Sequence, residues 1–375
     1  MEGAASGILR DGMTEVVSVV DLSVVVDELR RAGEVLRRGG LVAFPTETVY
    51  GIAVAATIPP AVERLYAIKR RPRDKPMTLM VADVAEVRRR CPRIPAAAER
   101  LMERFWPGPL TLVLPDREGR LTGFRLPNHP LARGLVREAG VPLFVPSANV
   151  SDEPPARTAE QVLAAFPTEL DMVIDGGSVE GGIPSTVVEV TARGVAVLRE
   201  GAIPERHVVD ASHLHVLFVC SGNTDRSPLA AALLRRRLAE RIGCRESELA
   251  SRGVTVASAG LHVEAEGRPA SEAVRRIASE WPDGALDVEG HHATRLTAEM
   301  VRGATHVFCM ERAHQEEILA FFPGRLRDVR LLDPEGHDVE DPAGRSALVY
   351  RNLARRLDAA ATLLAGGLST CVSSS

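Results

Sequence analysis

"HVLFVCSGNTDRSPLAAALLRRRLAERI", residues 215–242, runs from an apolar strand-like stretch through a short polar loop into a helical pattern. The apolar run ends at Cys220, Gly222 and Asn223 lie in the loop, and Arg226 follows the cysteine by six positions. Ser227 and Pro228 stand where an N-cap and a first helical proline are expected. A strand that hands its last residue to a loop opening a helix is the working unit of an α/β fold. Backbone N–H groups in such a loop can surround a phosphate dianion, aided by the helix dipole. The same field is expected to lower the Cys220 pKa and make the thiolate a nucleophile. A lone cysteine at a strand end is ordinary packing. With this arginine spacing, on strand, loop and helix, it reads as catalytic.

Outward from that stretch, short valine- and leucine-rich runs alternate with helical patterns along the whole chain, which predicts an α/β protein. In the first half, 23–40 reads as a helix closed by Gly39 and Gly40, and "LVAFP" (41–45) as the strand after it. Further strands are expected at "LTLVLP" (110–115), "PLFVPS" (142–147), "DMVIDGG" (171–177), "STVVEVT" (185–191) and "GVAVLREG" (194–201). The stretch 202–214 is polar and lacks a sustained period, so a boundary is placed near residue 211. At 375 residues the chain exceeds one ordinary core, and two domains, 1–210 and 211–375, are expected. The final "STCVSSS", with Cys371, reads as a frayed tail.

Composition removes several function classes. A net charge of −4 argues against general coating of nucleic acid, and no apolar run reaches the length of a membrane span. The opening residues mix acids with hydrophobics and are not read as a secretory signal. Five scattered cysteines suggest no disulfide framework, and without a CxxC or His-x-x-x-His cluster no metal site is proposed. Cys91, Cys244 and Cys309 are read as structural, the arginine runs 88–90 and 235–237 as solvated helix faces, and His291-His292 as non-ligands. The expectation is a reduced, cytoplasmic protein.

The chain has 44 arginines but only two lysines, Lys69 and Lys75, both in "YAIKRRPRDKPM" (66–77). A lysine that persists against such a bias is one whose compact ammonium a planar guanidinium cannot replace. Around it, several segments place small hydroxyls, glycines or cations after a strand end. "FPTETVYGIAV" (44–54) offers Thr46 and Thr48, and "GFRLPNHP" (123–130) offers Arg125 and His129. "VPSANVSDEPPART" (145–158) offers Ser147, Asn149 and Ser151, and "GGSVEGGIPSTVVEV" (176–190) offers Ser185 and Thr186. Such donors, with Lys69, Arg71 and Arg125, suit a ligand rich in anionic oxygens at a crevice where strands end.

Together with "FWPGPLTLVL" (105–114) and "LREGAI" (198–203), these segments resemble the YrdC-type threonylcarbamoyl-adenylate synthase family over about residues 20–205. The resemblance implies a twisted α/β sheet around a large concave pocket, and a reaction of L-threonine, bicarbonate and ATP with Mg²⁺. The products would be threonylcarbamoyl-adenylate and pyrophosphate. The adenylate would serve a tRNA-threonylcarbamoyl transferase machinery, and tRNA binding is a further implied property. It implies ATP contacts at Lys69, Arg71, Lys75, Arg125, Asn149 and Arg199, and a threonine site at Thr46, Ser147 and Ser185. Two positions depart from the family pattern: Lys75-Pro76 stands where Asn-Pro is common, and Met80 where histidine often follows. A competing reading is an RNA-binding domain without synthase activity.

The second half resembles the low-molecular-weight protein tyrosine phosphatase family from about 214 to 365, through "SAGLHVEAEGRPAS" (258–271), "HHATRLTAEMV" (291–301), "ATHVFCMERAH" (304–314) and "DVEDPAGRS" (338–346). The implied fold is a small doubly wound parallel sheet. The implied phosphate loop is Ser221, Gly222, Asn223, Thr224, Asp225 and Ser227, with Cys220 as nucleophile, Arg226 on the phosphate oxygens and Asp341 as acid and base. Ser227 would steady the thiolate, and Asp333 is a rival to Asp341. Thr224 resembles the bacterial protein-arginine phosphatases of that family, and Ala343 stands where an aromatic often walls the pocket. The substrate is therefore expected to be a phosphoprotein bearing phosphoarginine or phosphotyrosine. Asp225 replaces the usual second cysteine. Aimed at the ligand, its carboxylate would raise the thiol pKa and weaken binding, leaving a phosphate-binding or regulatory module; aimed outward, it would change little.

Overall fold

The computed structural model describes residues 14–19, 22–191, 194–325 and 329–369. Cys371 and the tail lie outside them. Contacts divide the chain into two compact units, 1–211 and 212–375. Among the described residues no helix is long and apolar enough to cross a membrane.

The first unit is built on ten strands: β1 (Glu15–Ser18), β2 (Val42–Pro45), β3 (Tyr50–Ala55), β4 (Thr78–Met80), β5 (Leu110–Pro115), β6 (Leu121–Arg125), β7 (Leu143–Phe144), β8 (Met172–Asp175), β9 (Thr186–Thr191) and β10 (Gly194–Arg199). They form one mixed sheet in the order β1-β8-β2-β3-β7-β4-β6-β5-β9-β10. Helices Leu22–Arg37 and Pro130–Ala139 cover one face of its β8-β2-β3 part, closing a core of Leu36, Phe44, Met80, Leu135 and Leu143. The opposite face buries Tyr50, Ile52 and Leu65 at one end and Leu112, Phe124 and Val188 at the other.

Pairing register decides what the uncovered part of the sheet presents. Val113 lies opposite Gly123, Thr111 beside Val187, and Arg199 opposite Val187. Paired residues share a face and alternate residues return to it, so Thr111, Arg125 and Arg199 point the same way. Between Val197 and Arg199 the register shifts. That bulge turns Arg199 to the face where Leu198 would otherwise sit, and leaves Leu198 exposed.

The second unit has β11 (Leu214–Cys220), β12 (Val254–Gly260), β13 (His306–Cys309) and β14 (Val329–Leu331), all parallel, in the order β12-β11-β13-β14. Six of the seven β11 residues are buried, as a central parallel strand covered on both faces requires. Helices Arg226–Ile242 and Ala347–Ser369 pack on one face and Arg312–Phe321 on the other. This is the doubly wound architecture expected, beside a mixed, twisted sheet in the first unit.

Local readings need correction. The stretch 202–214 holds a helix, Glu205–Ser212, anchored by buried Val208, because few apolar positions suffice for two turns packed on a larger core. The "PLFVPS" strand shrinks to Leu143–Phe144, since two prolines bracket it and withhold N–H donors. The helix after Cys220 starts at Arg226 with Asp225 at the N-cap, so Ser227 and Pro228 lie inside its first turn. Arg235, Arg236 and Arg237 are not a solvated face: they bond to the Asp287 and Ala285 carbonyls and the Asp358 carboxylate.

Candidate active sites

In the first unit, the loop between β2 and β3 folds Thr46 inward. Its hydroxyl donates to the Val49 carbonyl at 2.7 Å and lies 2.9 Å from the Thr48 hydroxyl. Arg125, at the end of β6, donates to Thr48 Oγ1 at 2.8 Å and to Glu47 at 2.9 Å. On the neighbouring strands, Ser185 lies 2.9 Å from Thr111, and Arg199 donates to the Ser185 carbonyl at 2.7 Å. Gly201 makes that approach possible: a Cβ there would sit 2.3 Å from the Pro184 carbonyl oxygen.

Lys69 is 1% exposed. Its ammonium donates to the carbonyls of Ser147, at 2.6 Å, and Asn149. Its own carbonyl accepts the Ser151 N–H at 2.9 Å, so the lysine segment and the Ser147–Ser151 loop are one braced unit. Burial, then Arg71, pulls the Lys69 pKa down to about 7. Arg71 itself bonds to the carbonyls of Lys75 and Pro76. Lys75 is exposed and faces Asp152 at 3.5 Å. Arg199 keeps an exposed outer side, yet surrounding protein and then Arg125 and Arg71 pull its guanidinium below the usual value. Arg71 thus bears on Lys69, and Arg125 and Arg71 on Arg199.

Several buried polar atoms there have no protein partner: Glu47 Oε2, Arg125 Nε, Asn149 Oδ1 and Ser151 Oγ. Such atoms cost free energy unless a ligand or water completes them. Sequence reasoning does not single out Glu47 or Thr111. Glu47 lies between two threonines that it does select, and Thr111 sits at an alternating position of a strand that reads only as core. A cavity of about 650 Å³ lies elsewhere, against Leu79, Phe124 and Phe144 on the other face of the sheet, and contains none of the expected site residues.

In the second unit, Cys220 ends β11 with its sulfur 2.9 Å from Ser227 Oγ and accepting the Asn223 N–H at 3.3 Å. Asn223 takes a left-handed conformation, φ +55°, and is fully buried. Its side chain donates to Ser227 and Ser258, both at 2.9 Å, and accepts the Thr294 N–H at 2.8 Å. Its carbonyl meets His291 Nε2 at 2.7 Å, so His291 supports the loop. Arg226 is 1% exposed and bonds to Asp341, Glu311, the Val339 carbonyl and Ser221. Ser221 in turn lies 2.9 Å from His314. Asp333 is instead engaged by Arg356.

One expectation about the cysteine changes, and one alternative left open is decided. The expected net lowering of its pKa is not found: burial pushes the Cys220 thiol up, against the opposing pull of Ser227, Arg226 and the Asn223 N–H. Asp225 does not face the sulfur. One of its oxygens accepts the hydroxyls of Ser271 at 2.6 Å and Tyr350 at 2.8 Å, and the other accepts Thr224 at 2.9 Å. Among the described residues, Asp333, Glu335 and His337 could group around a metal, with Asp333 already held by Arg356.

Comparisons with known proteins match each half to a family. Residues 34–201 match the YrdC family model, described as telomere recombination, and residues 215–373 the low molecular weight phosphotyrosine protein phosphatase model. The chain is similar to threonylcarbamoyl-AMP synthase of Bacillus subtilis, 37% identical over 203 residues, 51% of this chain and 59% of the relative. It is 35% identical to the Mus musculus enzyme of that name over 196 residues, 48% of this chain and 69% of the relative. The chain spans little more than half the length of the first curated relatives it matches, 59%, 55% and 51%. The second half is 33% identical to the solved YwlE arginine phosphatase of Geobacillus stearothermophilus, covering 42% of this chain and 94% of that one, with a TM-score of 0.35.

Proposed function

Because the chain belongs to the YrdC family of threonylcarbamoyl-AMP synthases in its first half and carries a low-molecular-weight phosphatase domain in its second, we propose that it is a bifunctional enzyme. The first domain, about 1–210, converts L-threonine, bicarbonate and ATP to threonylcarbamoyl-adenylate and pyrophosphate. The threonine amine and bicarbonate give a carbamate and water. A carbamate oxygen then attacks the α-phosphorus of ATP, and the bond to pyrophosphate breaks. No side chain needs to act as a covalent nucleophile, so the protein contributes positioning and charge. Arg71, Arg125 and Arg199 are the cations we assign to the phosphates, with Mg²⁺ entering as part of the ATP substrate. Thr46, Ser147 and Ser185 are assigned to threonine, and Asn149 to the nucleotide. Lys69, expected among the phosphate contacts, is assigned instead to bracing the loop of Ser147 and Asn149, whose carbonyls engage its ammonium, and Lys75 to an outer phosphate contact. The supporting observation is the set of unpartnered buried atoms, Glu47 Oε2, Arg125 Nε and Asn149 Oδ1, between those cations and hydroxyls. The product would pass to a tRNA-threonylcarbamoyl transferase machinery.

The second domain, about 211–375, hydrolyses a phosphorylated side chain of a phosphoprotein, phosphoarginine or phosphotyrosine. Cys220 Sγ forms the bond to phosphorus as the leaving group departs with a proton from Asp341. Asp341 then takes a proton from water as that water displaces the thiolate and frees phosphate. Supporting catalysis over a mere binding module is the orientation of Asp225, whose charge is taken up by three hydroxyls away from the thiol.

The test is pyrophosphate release by the intact chain, measured with threonine or bicarbonate withheld in turn and with Arg199→Ala. Phosphate release from phosphopeptides is measured in the same preparation with Cys220→Ser. Release independent of threonine would refute the synthase assignment, and phosphate release unchanged in Cys220→Ser would refute the phosphatase assignment.

A further inference from the structure

Helix Arg312–Phe321 carries a side chain that the phosphatase chemistry leaves without a task. His314 is 4% exposed and lies one turn into the helix from Glu311, its N-cap. Positions three apart share a helix face, and both side chains reach the phosphate loop. Glu311 engages Arg226, and His314 Nε2 lies 2.9 Å from Ser221 Oγ. The other ring nitrogen, Nδ1, is buried with no hydrogen-bond partner among the described residues. Burial holds the imidazole below its usual pKa, with Glu311 opposing and Arg226 assisting, so at pH 7 one proton serves two nitrogens. On Nδ1 that proton would be a buried donor facing nothing, the rarer kind of orphan in a folded protein. On Nε2 it is donated to Ser221. Ser221 Oγ also accepts an Arg226 N–H at 3.1 Å, from the nitrogen that bonds to Asp341. A serine hydroxyl has two lone pairs and one proton. With both lone pairs taken by His314 and Arg226, the proton is left for a third partner. An anionic oxygen in the loop, which can only accept, supplies it.

We infer that His314 is a positioning residue for the phosphatase reaction: by donating to Ser221 it fills the acceptor capacity of that hydroxyl and makes Ser221 one more donor to the phosphate oxygens. The inference rests on the phosphatase reading above, and it adds a side-chain donor to the backbone N–H groups and Arg226. With Nε2 as acceptor instead, the Ser221 proton would be spent on the ring, and its oxygen would face the anion lone pair to lone pair. The hydroxyl forms and breaks no covalent bond. Its proton offsets the negative charge on the phosphate oxygens while phosphorus passes to Cys220 and then to water. His314 touches no substrate; it acts through Ser221.

The test reads anion binding at the loop and turnover separately, in the full chain. Tungstate is the probe, and its protection of Cys220 from iodoacetamide, followed by mass spectrometry, gives a dissociation constant at the loop itself. Ser221→Ala and His314→Met are each expected to weaken tungstate about 10-fold or more, the worth of one hydrogen bond to a charged group, and to lower phosphopeptide kcat by a similar factor. The double variant should lose no more than either alone, because both changes remove one interaction. His314→Gln sets an amide N–H near the place of Nε2 and should hold both quantities within about threefold of wild type. Nitrogen-15 shifts of His314 in the tungstate complex should show the proton on Nε2. Tungstate binding unchanged in Ser221→Ala, or the proton on Nδ1 in the complex, overturns the inference while leaving the phosphatase in place. So does a His314→Met effect of equal size in a chain already carrying Ser221→Ala, which would trace it to packing. Should His314→Met fail to fold, Ser221→Ala and the nitrogen-15 shifts decide. Absence of Cys220-dependent turnover in wild type overturns the phosphatase reading itself, and the protection constants still report the Ser221 donor.

Discussion

Lys69 reaches the Ser147 carbonyl at 2.6 Å from the end of helix Pro59–Ile68, while Ser151 returns its N–H to the Lys69 carbonyl at 2.9 Å. Two segments 78 residues apart are thereby held as one. The lysine that survives the arginine bias does so in a place a guanidinium would not fit: a closed site whose acceptors converge on a single nitrogen.

Replacing it tests the brace. Lys69→Met keeps much of the packing but leaves the Asn149 carbonyl without a donor and the Ser147 carbonyl with the Asn149 N–H alone, the first costing about 1–3 kcal/mol. Threonine- and bicarbonate-dependent pyrophosphate release should fall about 100-fold, each 1.4 kcal/mol being a factor of ten. Amide exchange across 147–151 should quicken in the same variant. Exchange that stays as slow as in wild type would show that the side chain is not what holds the loop.

The same lysine gives a pH signature. Its native pKa of about 7 lies below the 10.5 of the free side chain. Between those values the unfolded chain binds the extra proton, so stability rises with pH across the window and is flat on either side. The rise is on the order of a few kcal/mol, because each pH unit between the two values contributes about 1.4 kcal/mol. Denaturant unfolding of the first unit at pH 7 and pH 9.5 should show it in wild type and not in Lys69→Met. An equal gain in both proteins would place its origin elsewhere.

A glycine carries the side of the site assigned to threonine. A Cβ on Gly201 would lie 2.3 Å from the Pro184 carbonyl oxygen and 2.7 Å from the Ser185 carbonyl carbon, both backbone atoms that cannot swing aside. Gly201→Ala should push Ser185 away from Thr111 and Arg199, raising KM for threonine about tenfold or more for the loss of such contacts. Far-ultraviolet circular dichroism should stay as in wild type, because the clash falls between two loops. An unchanged KM would remove Ser185 from the threonine contacts.

Much of this was legible in the sequence, for reasons that differ by residue. Strand ends with cations and small hydroxyls locate Thr46, Arg125 and Ser185, and the Cys220–Arg226 spacing locates the phosphate loop. Pairing register was not legible, so Thr111 passes for core although β5 turns it toward Ser185. The direction of Asp225 was undecidable for the same reason. Its partners, Ser271 and Tyr350, lie 46 and 125 residues away, and only the tertiary fold brings them to it. The net pKa of Cys220 also escapes, because local spacing reports the pull of the loop but not the depth of burial.

Asn223 joins those distant parts, and one substitution separates its roles. Its φ of +55° is accessible to Asn and Asp at low cost, so Asn223→Asp keeps the loop conformation. The carboxylate still accepts the Thr294 N–H, but it cannot donate to Ser227 and Ser258. It also sets a negative charge beside Ser227, the residue 2.9 Å from the Cys220 sulfur. Both changes oppose the thiolate, by charge and by the lost bond, and the Cys220 pKa should rise further. The pH profile of Cys220 alkylation by iodoacetamide should move upward by about one pH unit or more, equivalent to about 1.4 kcal/mol. Phosphatase kcat should fall about 100-fold while the second unit still melts cooperatively. Asn223→Gly is the counterpart: it keeps the left-handed backbone, discards every side-chain bond and adds no charge. An alkylation profile shifted as far in Asn223→Gly as in Asn223→Asp would assign the effect to the lost hydrogen bonds. No shift in either variant would free the thiol from the Asn223 side chain, and the loop's hold on its nucleophile would have to come from the Asn223 N–H, Ser227 and Arg226.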